Sequence, residues 1–321
     1  MADKGKSWLK YGCFGCLGLV AALALIVVFL TAIAMFNVRS EKVEDRVFTQ
    51  EVPGTSKEPV PSKRRDIPET ADSPVPSPSS EAAPRPTPGH VILHLSQGEF
   101  EIKPAPPGEP LRVEATYDTQ SFELQESIDK EAASGWNYRV DFRQTSSSLL
   151  SPLKLLMGGS RPRVRILLPV DVPISLEAHM SEGGSEVELG GLWLTTADIN
   201  FMRGGLELAF RTPLHQPMER LFIDCSMGGI KLSSLGNASP RLLKVDHSMG
   251  GLDLDLRGQW VQDANISITS SMGGGKVYLP RDVVIERVGA GRPLLKDDTE
   301  VKPPTLKLSV SSRMGELTII D

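Results

Sequence analysis

The sequence predicts an all-β fold, a parallel β-helix (β-solenoid) of coils about 22 residues long, preceded by one transmembrane helix. Three observations predict it. A Ser-Met-Gly-Gly signature recurs at 226–229, 248–251 and 271–274. The residues flanking each copy alternate between apolar and polar. A run from position 11 to position 38 carries no charged residue. The chain has 321 residues and a formal net charge of −5, with 40% hydrophobic and 23% charged residues. That composition is globular, and it argues against nucleic acid as a partner, which would need a basic face. Three cysteines without metal-ligand spacing argue against a zinc module or a disulfide-stapled fold, and no metal or cofactor is expected.

Residues 1–40 read as a cytoplasmic N-terminus and a signal anchor. Positions 17–36 are almost wholly Leu, Val, Ala, Ile and Phe, and twenty helical residues at about 1.5 Å each span a hydrocarbon core of about 30 Å. The run is long for a cleaved signal peptide, and no Ala-x-Ala site ends it. Lys4, Lys6 and Lys10, against the single acid Asp3, place the N-terminus in the cytoplasm. The lipid bilayer is therefore the expected partner of residues 12–36. The expected location is the cell (inner) membrane, crossed once, with the C-terminal domain periplasmic or extracellular. Cys13 and Cys16 form a C-x-x-C at the start of the span, readable as two small residues on one helix face, a lipidation site or a redox pair.

Residues 41–89 read as a disordered Pro/Ser-rich tether. Ten of the 25 prolines lie between 52 and 90, and large apolar residues are nearly absent, so the stretch cannot offset its own chain entropy. Extended polyproline II at about 3.1 Å per residue would hold a domain clear of the bilayer.

Residues 90–321 carry the repeat, with 90–151 as an N-terminal cap or the first coils. The first glycine of each pair falls at Gly183, Gly204, Gly228, Gly250 and Gly273, at successive spacings of 21, 24, 22 and 23 residues. Gly315 follows 42 residues later, two periods on, with a degenerate coil expected around 289–291. Leu221, Ile223 and Cys225 precede Gly228; Leu243, Val245 and His247 precede Gly250; Ile266, Ile268 and Ser270 precede Gly273; Leu308, Val310 and Ser312 precede Gly315. Period two marks a strand with one buried face. Stacked about 4.8 Å apart, about ten coils would make a rod about 45–50 Å long. Segment 97–102 echoes 314–319, which suggests the same coil type at both ends. An antiparallel sandwich and a propeller are the alternatives.

The order of these motifs resembles a known family. Gly183-Gly184 and Leu189-Gly190-Gly191-Leu192 are followed by Met218-Glu219-Arg220-Leu221, then by Leu232-Ser233-Ser234-Leu235-Gly236-Asn237, and finally by Leu279-Pro280-Arg281-Asp282-Val283. This is similar to the bacterial toast-rack domains, found also as the LiaF-like extracytoplasmic domain and in adhesin-type proteins. The resemblance covers about residues 89–321. It implies a parallel β-helix at the cell envelope, non-catalytic, with a sensing, scaffolding or adhesive role, and it carries over no catalytic residue. Met-Gly-Gly stands here where the family commonly has Gly-Ala-Gly, and one span stands where LiaF-like proteins usually have several.

Met227, Met249, Met272 and Met314 precede the glycines and should stack in a row. Such a row can fill a core corner, offer an exposed contact stripe, or bind Cu(I) through its thioethers. Cys225, His247 and Ser270 share one repeat position, read as a buried thiol and a hydrogen-bonded histidine, with a nucleophilic pair as the alternative. His90, His94, His179 and His215 look scattered. Asp253, Asp255 and Arg257 read as a solvated strand face, or as the clustered Asp and Arg of a carbohydrate-active β-helix. The expectation is a membrane-anchored, non-catalytic binding or scaffolding domain, whose partners are an envelope polymer, a membrane protein or a second copy of the chain. A carbohydrate-active enzyme and a regulator of a membrane stress sensor are the alternatives.

Overall fold

A computed structural model describes residues 23–29, 31–32, 43–53, 87–130, 135–145, 161–287 and 303–321. They form fourteen strands in one mixed sheet. The strands are β1 (Val43–Gln50), β2 (Gly89–Pro104), β3 (Leu111–Asp118), β4 (Phe122–Asp129), β5 (Trp136–Gln144), β6 (Arg163–Leu168), β7 (Ile174–Glu188), β8 (Leu194–Ala209), β9 (Arg220–Ser233), β10 (Leu242–Asp255), β11 (Ala264–Tyr278), β12 (Val284–Arg287), β13 (Thr305–Met314) and β14 (Leu317–Ile320). A 3-10 turn (Leu235–Asn237) follows β9.

The centre of the sheet is parallel, and its register is the repeat. Ile223 pairs with Val245 and Val245 with Ile268, while Ile268 pairs with Val310. Gly98, Gly183, Gly204, Gly228, Gly250 and Gly273 pair in one unbroken file. Each long strand has two limbs. On the first limb of β9, Leu221, Ile223 and Cys225 are buried; on the second, Ile230 and Leu232 are. The inward set thus passes from odd to even positions. Such a phase change needs a corner that an alternating strand lacks. The first glycine of each pair supplies it: Gly250 has φ 130, and a Cβ there would lie 2.0 Å from the carbonyl oxygen of Gly228. Both the dihedral and the close approach demand glycine.

The segments between long strands are also joined, each to the segment one repeat on. Leu189 donates its N–H to Ala209 O, Phe210 to Ser233 O, Gly236 to Arg257 O and Leu256 to Tyr278 O, over 2.9–3.2 Å. Leu192, Phe210, Leu235, Leu256 and Trp260 face inward from these segments. Full burial of each such side chain contributes about 1.5–3 kcal/mol, and no coil can obtain that alone.

Both ends of the stack depart from the simple repeat. At the N-terminal end β5 and β6 lie against the two limbs of β2. Beyond them β4 pairs antiparallel with β5, β3 with β6, and β1 with β3. Phe142 packs here against Phe122 and Tyr117, with ring centroids 5.3 and 5.4 Å apart. At the C-terminal end β13 pairs directly with β11, and β12 lies outside β13. This corrects the expected extra coil between Gly273 and Gly315. Forty-two residues advance the stack by one step, because the chain runs out to the edge and then returns inside it. Positions 289–291 lie outside the described residues.

The expected tether is corrected in part, and the expected membrane span lies mostly outside the described residues. β1 lies within the stretch 41–89 read as tether, so that stretch begins as folded sheet, and Val52 beyond β1 is buried. The physical reason is edge pairing: β1 supplies a partner to β3, and Phe48 packs against the core. Residues 54–86 lie outside the described residues. Of the expected membrane span, residues 23–29 and 31–32 are helical. Among the described residues no helix is long and apolar enough to cross a membrane. The rest of the span, with Cys13 and Cys16, lies outside the described residues.

Candidate functional site

Beside the corner file runs a second file, made by the second glycine of each pair: Gly184, Gly205, Gly229, Gly251 and Gly274. These residues differ physically from their neighbours. None has a positive φ, and a Cβ at Gly184, Gly205, Gly229 or Gly251 would meet nothing within 4 Å. At Gly274 it would meet only Glu316 O, at 3.6 Å. Glycine inside a strand weakens it and contributes no packing. Nothing in the fold asks for glycine here, yet five successive strands, β7 to β11, have it.

The result is an open trough of about 900 Å³ with these glycines along its floor. Four steps of about 4.8 Å make the floor about 19 Å long, at right angles to the strands. Leu206, Ile230 and Leu252 lie beneath it, buried. Its N-terminal end is closed by Glu99, which occupies the register position of Gly184 and is paired with Arg163 at 2.9 Å. One outward file of side chains borders it: Glu101, Glu186, Glu207, Lys231, Asp253 and Lys276. One end of the trough is thus acidic, and the other alternates in sign.

Four of the trough's five acids, Glu99, Glu101, Glu186 and Glu207, are held in ion pairs. Glu101 accepts from Arg165 at 2.7 Å and also pairs with Lys103. Glu186 lies 3.3 Å from Lys103, and Glu207 lies 2.7 Å from Lys231. Burial opposes the charge on Glu101, but the bonds from Lys103 and Arg165 together outweigh it and hold the carboxyl below the ordinary range. A general acid would need the opposite shift. The lining holds one aromatic, Phe100, which is buried. This differs from a sugar-cleaving groove in both respects.

The glycines expected at the turns, Gly183, Gly204, Gly228, Gly250, Gly273 and Gly315, all have positive φ and sit at the corner. Gly98 belongs with them, with φ 152. Met227, Met249, Met272 and Met314 pair in one file, exposed by 41%, 40%, 40% and 64%. That excludes the core-packing reading for them. Cys225, His247 and Ser270 do stack, and all three are buried. Burial pushes the Cys225 thiol up to about 11, with the Asp224 charge adding to the effect. A thiol so shifted is a poor nucleophile. Asp253 borders the trough, whereas Asp255 is held by Arg257 through a 2.8 Å bond.

The structure gathers residues that looked scattered in sequence. His94 and His179 are register partners with ring centroids 5.2 Å apart. His94 Nδ1 lies 2.7 Å from Asp141 and His179 Nε2 lies 2.7 Å from Glu177, with His90 Nε2 3.6 Å from the same carboxylate. The His179 hydrogen bond, against a smaller opposing effect of burial, holds Glu177 below its ordinary range. Aligning 89–104 with 174–188 would have shown this cluster. Among the described residues no group of three or more His, Cys, Asp or Glu is arranged to hold a metal ion.

No family model and no curated protein matches the chain. Among solved structures, a candidate cell adhesion protein from Clostridium sporogenes is similar at TM-score 0.42 and 10% identity, over 87% of this chain and 99% of that one. A candidate adhesin from Bacteroides fragilis is similar at TM-score 0.33 and 9% identity, over 88% and 98% of the two chains. Likenesses this distant identify neither a family nor a function.

Proposed function

We propose that this chain is a membrane-anchored β-solenoid of the bacterial envelope that binds, without catalysis, one extended polymer strand lying in the glycine-floored trough. The observation that carries the reading is the contrast between the two glycines of each pair. The first is required by backbone and sterics, whereas the second is required by neither and leaves a bare floor. A regular floor with a step of about 4.8 Å suits an occupant that also repeats along its length. The uncharged run at 11–38 and the lysines before it support the anchor and its orientation. The ion pairs that hold Glu101, Glu186 and Glu207 support a binder over an enzyme.

The experiment separates binding from folding. Gly229→Leu with Gly251→Leu places two side chains on the floor where the fold leaves open space. The wild-type chain is expected to co-sediment with purified bacterial cell-wall polymer. The double variant should lose at least about tenfold in affinity at an unchanged melting temperature. A wild type that fails to co-sediment, or a filled trough that binds as well as the bare one, overturns the proposal.

A further inference from the structure

We propose that the exposed methionine file, Met227, Met249, Met272 and Met314, is a binding site for a soft monovalent cation, Cu(I). The file is distinct from the trough and stands whether or not the trough binds a polymer. Four of the chain's ten methionines occupy one register position in successive coils. The inward positions of the same strands are chiefly Leu, Ile and Val and include no methionine, so these strands do not favour methionine in general. Exposed at 40–64%, the four side chains contribute little to the core. A merely apolar stripe would be served equally by Leu or Val. What the four share beyond apolarity is the thioether sulfur, a soft neutral donor that selects Cu(I) over harder divalent ions.

The register supplies the geometry. Three sulfurs around one ion at bonds of about 2.3 Å lie about 4 Å apart. Parallel strands present adjacent members of the file about 4.8 Å apart and the outer two of any three about 9.6 Å apart, so the outer side chains must lean toward the central one, which the three rotatable bonds of each methionine allow. Met227–Met249–Met272 and Met249–Met272–Met314 are overlapping triads sharing their central pair, so the file holds one ion at a time. Arg203 is the register partner of Met227 on β8, and its positive charge limits the site at that end. Thioethers do not titrate, so affinity is independent of pH, unlike that of any imidazole site.

The test uses the whole chain in detergent, with Cys13→Ser and Cys16→Ser to remove two competing thiols, and with 13C-labelled methionine methyls. Titration with Ag(I), an air-stable probe of the same chemistry, should shift the four file methyls together and saturate at one ion per chain, leaving buried Met180 and Met218 unmoved. Anaerobic competition for Cu(I) with a chromophoric chelator should give the same affinity at about pH 5.5 and about pH 8. Met249→Leu with Met272→Leu should weaken it at least tenfold with an unchanged circular dichroism spectrum. Absence of methyl shifts, or binding that survives the double substitution, overturns the proposal, and a pH dependence in the surviving binding would mark imidazole in place of thioether ligands.

Discussion

Gly250 and Gly251 are neighbours with opposite physical situations. Alanine at 250 must hold φ near 130 and place a Cβ 2.0 Å from a carbonyl oxygen, so Gly250→Ala should cost at least about 3 kcal/mol. Alanine at 251 meets open space at an ordinary φ and should leave stability within about 1 kcal/mol of wild type, on the stabilising side. Denaturant unfolding of the two variants measures the difference. Asn237 acts across coils: its side chain donates to Phe210 O at 2.7 Å and accepts from the Gln259 N–H at 3.0 Å. Asn237→Ala leaves both backbone groups without these partners and should cost about 1–3 kcal/mol by the same measurement. The sequence shows Asn237 only as the end of a Leu-Gly-Asn motif, because both of its partners lie a full coil away. The glycine pairs are legible because the same demand returns every coil. The difference between their two members is not, since it lies in the distance to the next coil.

At the scale of elements, the interior strands could be read from sequence and the ends could not. β8 to β11 follow one another in space as they do in the chain, so a period in sequence is a step in the stack. The order breaks at β2, β5, β6, β12 and β13, where the chain goes outward and returns. There the sequence distance overstates the spatial step. β1 was hidden for another reason: it borders a proline-rich stretch whose composition dominates any window containing it. Its pairing with β3 implies that removing residues 43–50 uncovers a strand edge. A chain lacking them should self-associate, visible as a concentration-dependent mass in light scattering, while the intact chain should not through that edge.

Ion pairs join these elements, and their sign with pH follows from the shifted carboxyls. Glu101 and Glu177 have lowered folded values, so each contributes stability that is present above the unfolded carboxylate value of about 4.3 and lost as pH falls through the folded one. Both are partly exposed, so the contribution of each is under about 1 kcal/mol. The share of these two carboxyls should leave the unfolding midpoint unchanged above about pH 5 and lower it below about pH 4. Glu101→Gln with Glu177→Gln should flatten that fall, and salt should shrink it.

For the molecule as a whole, ten strands of the described residues lie side by side on the first limb, in the order β4, β5, β2, β7, β8, β9, β10, β11, β13, β12. At about 4.8 Å apart they extend over about 43 Å. The placement of β1 also changes the reach of the molecule. Four residues, 39–42, separate the uncharged run from β1, so the proposed anchor and the cap are adjacent in the chain. Under that proposal the capped end lies near the bilayer, and the proline-rich stretch leaves the domain after β1 and rejoins it at β2. Fluorescence quenching by lipid-borne quenchers should therefore reach a probe on β4 in vesicles and miss one on β12.

The central claim is that residues one repeat apart lie side by side. Lys231 and Asp253 are exposed register partners on β9 and β10, and Lys276 lies one coil further. Neighbouring parallel strands bring two such positions within disulfide range, about 4.4–6.8 Å between Cα atoms, while two coils do not. Under mild oxidation the Lys231→Cys, Asp253→Cys chain should form an internal disulfide, and the Lys231→Cys, Lys276→Cys chain should not. Equal crosslinking in both chains, or none in the first, would contradict the stack.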